Sequence, residues 1–157
     1  MSEEFRSRGA RALVRLHEIE MRKLWEVWRE ARRRGIALPA TDDTDYADLD
    51  TLMRHPLRAA RGYLTWFCEK TERPDPGIPP APEAAEIDAR GEEYLETVLA
   101  AWRRVLAGTS DAEMDSRTPH LSRWKAPYIL ESMLEHAVVH PMRHRIQLEE
   151  LMEPGKA

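Results

Sequence analysis

The chain has 157 residues, with 24 Lys plus Arg against 28 Asp plus Glu and a formal net charge of −4. That length suits a single domain over 1–157, and the acidic balance counts against general nucleic-acid binding, which draws on a cationic surplus. No apolar run reaches the ~18 residues of a membrane span, the acidic opening Met1-Ser2-Glu3-Glu4 lacks the apolar stretch of a secretory leader, and the lone Cys68 fits a reducing cytoplasm.

Sixteen Leu against twelve Ile plus Val, with abundant Ala, Glu and Arg, predict an all-α chain, and no segment alternates as a strand does. A first helix is expected over Glu4–Arg34, its inward stripe formed by Leu13, Leu16, Leu24, Val27, Trp28 and Ala31. The run Arg32-Arg33-Arg34-Gly35 ends it, because cations suit the negative end of a helix and Gly accepts a left-handed C′ conformation. A polar connection follows. It lacks the Gly and Glu of a calcium loop, and Asp48 or Asp50 at its end caps a second helix reaching Lys70. That helix buries Leu52, Leu57, Ala60, Leu64 and Phe67.

Thr71–Pro82 holds five of the eleven prolines and reads as a stiff crossover. A third helix, Pro82–Ala107, carries Ile87, Tyr94, Leu95, Val98, Trp102, Val105 and Leu106. After a second polar loop, Gly108–Lys125, a fourth helix is expected from Ala126 to Met152 with Pro127 in its first turn. Four long helices imply helix-on-helix packing, a four-helix bundle. The long connections allow an order other than plain up-down-up-down.

Three of the six histidines, His136, His140 and His144, lie on the last helix at i,i+4 spacing, so one metal ion can reach both imidazoles of a pair. Measured from the stripe of Leu130, Met133, Leu134, Ala137, Leu148 and Leu151, His144 lies roughly 20° away, His140 roughly 60° and His136 roughly 100°. His140 and His144 are therefore the inward pair. A third ligand can come from His17, on the inward stripe of the first helix with Glu20 one turn on. It can also come from His55, beside the small Ala59 and Gly62. Wheel geometry alone slightly prefers His17.

The segment from Leu134 to Leu148, with its His140, three residues, His144-Arg145, one residue and Gln147, resembles the last-helix signature of the DinB-like superfamily of four-helix bundles. Leu52-Met53-Arg54-His55 resembles the single-histidine segment on that family's second helix. Ile146 stands where the signature often has Gly, and Pro141 where it is usually polar. The resemblance implies a divalent metal, nickel or zinc, held by His55, His140 and His144 with open coordination positions. It also implies a metal-dependent transferase that uses a low-molecular-weight thiol such as mycothiol or bacillithiol, with hydrolysis as the competing chemistry. A small-molecule substrate follows as partner, while the acidic charge and the lack of a long apolar run point to no nucleic acid and no membrane. His17, Glu20 and His136 are candidates for supporting the ligands or moving protons, and Arg143 and Arg145 for pairing with a carboxylated cofactor. The alternative is a non-catalytic helical module that dimerises through exposed Trp and Met, giving a homodimer. Cys68 reads as a core residue.

Overall fold

In the computed structural model, which describes residues 4–155, five helices carry the chain: α1 (Arg8–Arg33), α2 (Leu49–Lys70), α3 (Ile87–Ala107), the short α4 (Asp111–Met114) and α5 (Leu130–Met152). Of the acidic opening Met1–Glu4, all but Glu4 lies outside the described residues. α1 packs on α5 and α3, and α2 packs on α3 and α5, so the four long helices form a ring with α1 opposite α2. The connections therefore cross the bundle rather than only turning between neighbours. Within the described residues no helix is long and apolar enough to cross a membrane.

Two corrections concern the second polar loop. Four helices were expected and five are found, because Ser110 caps α4 by a capping box with Glu113, and Met114 buries itself against the bundle. The last helix starts at Leu130 rather than Ala126. Pro127–Tyr128 pairs instead as a two-residue strand, β2, with β1 (His120–Leu121), which places both Pro127 and His120 in a hairpin.

Two helix starts also move: α1 begins at Arg8, where Ser7 caps it by accepting from Ala10 N–H, rather than at Glu4, and α3 begins at Ile87 rather than Pro82, after a single 3-10 turn over Ala84–Glu86. The remaining elements follow local chemistry as read. Asp48 accepts from Thr51 N–H at 2.7 Å and caps α2. Gly35 takes φ +67° just past α1. The arginines that end α1 are absorbed by ion pairs, Arg33 and Arg34 with Glu30, and Arg32 with Asp50 and Asp88. On α1 the inward face runs through Val14, His17, Met21, Leu24, Trp25 and Trp28, leaving the expected core residue Leu16 47% exposed. The proline crossover has few N–H groups to offer, and its carbonyls are taken by side chains. Arg61 donates to Ile78 O at 2.8 Å, Tyr94 to Pro79 O at 2.9 Å and Arg54 to Pro82 O at 2.9 Å. Cys68 is buried, as expected of a core residue.

Two helical glycines respond to substitution with opposite signs. A Cβ on Gly91 would lie 2.7 Å from Cη2 of the buried Trp25, so Gly91→Ala is expected to lower unfolding free energy by roughly 1–3 kcal/mol. A Cβ on Gly62 meets only Arg123 Nη1 at 3.5 Å, and Gly62→Ala is expected to raise stability by roughly 0.5–1 kcal/mol through helix propensity. Urea unfolding of both variants checks the pair.

Candidate metal centre

α2 and α5 pack against each other and bring His55 to face His140 and His144, which stand one turn apart on α5. His55 Nε2 lies 2.9 Å from His140 Nε2, and His144 Nε2 lies 3.0 Å from the same atom. One nitrogen from each ring falls within 4.8 Å of the other two. Burial alone does not explain three ring nitrogens turned onto one point.

The outer nitrogens decide which atoms face inward. Nδ1 of His144 donates to Gln147 Oε1 at 3.1 Å. Nδ1 of His55 lies 3.0 Å from Asp45 Oδ2, a charge-assisted approach made off the ideal N–H line. Both partners are acceptors, so each Nδ1 carries the proton and each Nε2 presents a lone pair. Two lone pairs therefore converge on His140 Nε2, whose single possible proton can satisfy only one of them at full strength. His140 Nδ1 is itself buried with no hydrogen-bond partner. A cation accepts all three lone pairs at once, and outer acceptors on ligand imidazoles are the usual way such rings are oriented. The donor set thus fits a divalent ion.

Electrostatics keep the rings neutral, the form that ligates. Burial is the largest cause for each: it pushes His140 down to about 2, His144 down to about 4, and lowers His55 as well. Asp45 acts against this shift at His55 and His144.

The cluster opens into a cavity of about 490 Å³. Ala59 and Gly62 of α2 leave the space, Tyr63, Trp66 and Trp124 wall it, and His136 stands beside the cluster with its ring 6.3 Å from that of His140. The hairpin places one wall: Trp66 Nε1 donates to Leu121 O at 2.8 Å, and Ser122 closes the turn through bonds with Ala126.

The other sequence candidates fall elsewhere. His17 is buried and stacks on Trp102 of α3 at 3.9 Å, and Glu20 pairs with Arg145 and Lys23; none of these five lines the cavity. Arg145 is held by Glu20 and Glu149, whereas Arg143 does line it. Of the tryptophans, Trp25 and Trp102 are core. Sequence reading missed Asp45, which sits in a single 3-10 turn, Thr44–Tyr46, too short to show periodicity, and Tyr46 beside it, whose ring lies 5.7 Å from that of His144. It also gave Gln147 no role at the site, although a place three residues beyond a candidate ligand on the same helix face could have marked it.

Replacing the outer acceptors tests their part. Asp45→Ala and Gln147→Ala are each expected to weaken zinc or nickel affinity by about 10- to 100-fold while leaving the bundle folded, as competition with a chromophoric chelator reads directly. Comparison with family models, with curated proteins and with solved structures returns no match.

Proposed function

We propose that this chain binds one divalent metal ion, nickel or zinc, through His55, His140 and His144, and acts as a metal-dependent enzyme of the DinB-like four-helix kind. Its activity is that of a low-molecular-weight thiol S-transferase, with hydrolysis as the second form of the same chemistry. The observation that carries this reading is the convergence of three Nε2 atoms at the wall of an open cavity. Structural zinc sites are normally closed by four protein ligands, whereas three ligands beside free space are the mark of a working site.

A divalent ion held by the three neutral imidazoles would supply Lewis acidity toward a thiol or a water. The chain supplies the rest. Asp45 and Gln147 hold the ring orientations from outside. His136 lies on the cavity wall and stays neutral because burial, and then the charge of Arg143, lower its pKa. Neutral, it can accept the proton that an entering thiol gives up. Tyr63, Trp66 and Trp124 exclude water from one side and offer flat apolar surface to the electrophilic substrate. A non-catalytic dimerisation module leaves the convergent imidazoles and the cavity without a role.

The test is a titration of cobalt-substituted protein with mycothiol and with bacillithiol, following the sulfur-to-cobalt absorption band. One equivalent of thiol raising that band supports the transferase. Stoichiometric cobalt binding without the band moves the assignment to hydrolysis, and no cobalt binding contradicts both.

A further inference from the structure

The charges around the cavity do not balance. Three arginines, Arg58, Arg123 and Arg143, line it and no carboxylate does, in a chain whose acids outnumber its bases. Arg58 is matched by Asp45 at 3.2 Å. Arg123 and Arg143, both solvent-exposed at the cavity rim, make no ion pair or hydrogen bond among the described residues, whereas the half-buried Arg32, Arg54, Arg61, Arg73 and Arg145 all do.

Arg143 acts on Tyr46, Tyr63, His136, His140 and His144, so its charge is felt throughout the cavity. Arg123 sits in the hairpin turn and reaches α2, its Nη1 3.5 Å from where a Gly62 Cβ would stand; the exposed Glu69 feels its charge but forms no ion pair with it. Two unmatched cations beside three neutral imidazoles oppose the binding of a divalent ion. An anion entering the cavity removes that opposition, and guanidinium groups pair with planar or tetrahedral oxyanions through paired N–H donors. Trp66, Trp124 and Tyr63 provide the complementary apolar wall.

We infer that the cavity takes an organic anion, a carboxylate or phosphate-ester head on a flat apolar body, and that Arg123 and Arg143 hold the head. This names the substrate class of the site and rests on reading the cavity as the place of reaction. Both arginines are specificity residues on this account, while metal binding belongs to the histidines.

The probes are 2-naphthoate, 2-naphthyl phosphate and the neutral 2-naphthamide, titrated calorimetrically into zinc-loaded and metal-stripped protein. In the metal-stripped form at least one anion is expected to bind about tenfold more tightly than the amide. The preferred anion then identifies the head group. The preference is expected to vanish in Arg123→Gln/Arg143→Gln and to survive largely in Arg123→Lys/Arg143→Lys, with unchanged thermal unfolding showing that both variants fold. Equal binding of anion and amide, no saturable binding of any probe, or a preference that persists in the Gln variant overturns the inference. A preference seen only with zinc present also overturns it, and leaves the metal reading standing. Absence of zinc binding, with the arginine-dependent preference intact, sinks the metal reading alone.

Discussion

His140→Ala is expected to abolish stoichiometric metal binding, taking a tag-free protein from about one zinc or nickel per chain to nearly none. Of the three rings His140 is central, since its Nε2 is the atom that both others approach, at 2.9 and 3.0 Å. Removing it leaves His55 and His144 as two ligands from different helices, each still tied outward to Asp45 or Gln147. Outer-sphere changes at metal sites cost about 10- to 100-fold, and loss of a ligand exceeds that, so a weakening of about a hundredfold or more is expected. His55→Ala and His144→Ala follow the same direction. Metal analysis after gel filtration measures all three, and a His140→Ala protein that still carries one equivalent contradicts the assignment. The substitution is expected to leave the fold intact, because His140 is only partly buried and replacing its ring removes an unpaired Nδ1 from the interior.

The second large effect is on acid stability and belongs to His17. Its ring is 1% exposed, stacked on Trp102, and has neither nitrogen hydrogen-bonded to the protein. Burial pushes its pKa from 6.5 down to about 3. The folded-state value is depressed, so between those two values the unfolded chain binds the proton that the folded chain refuses. The associated stability is complete above about pH 6.5 and falls as pH drops toward 3, by up to about 1.4 kcal/mol per pH unit and about 4–5 kcal/mol in all. In His17→Leu, which keeps an apolar side chain of similar size, this share of the slope disappears. Unfolding free energies of metal-stripped parent and variant, measured by urea from pH 7.5 to 4, are expected to diverge steadily below pH 6.5 in favour of the variant. Parallel profiles contradict the account of a neutral buried imidazole.

His17 also shows where sequence reading ends. Helical periodicity marked it as inward, and it is inward. Periodicity specifies which face of a helix is buried but not which neighbour that face meets, and here the neighbour is Trp102 of α3 rather than the face between α2 and α5. The same limit separates Arg143 from Arg145. Two residues apart on one helix, they read alike in sequence, yet Glu20 of α1 claims Arg145 and leaves Arg143 at the cavity. The i,i+4 spacing of His140 and His144 was legible because both candidate ligands ride one helix. The position of His55 depended on a resemblance, since it required knowing that α2 faces α5.

The long helices were legible for a different reason: capping and stop signals at Asp48 and Gly35, and the proline run after α2, act within a few residues. The hairpin before α5 was not. Its two-residue pairing carries almost no sequence pattern, and Pro127 suits a helix start as well as a strand edge. Asp45 escaped notice because a residue of a one-turn segment between helices gains its role only from what folds beside it.

Nitrogen NMR of the imidazoles during zinc titration follows the ligand atoms themselves. The Nε2 resonances of His55, His140 and His144 should shift together and saturate at one zinc per chain, while the Nδ1 resonances of His55 and His144 keep the signature of protonated nitrogen. Saturation with any one of those three Nε2 atoms unmoved, or with the shift appearing at Nδ1 instead, would show that the three rings do not share one ion.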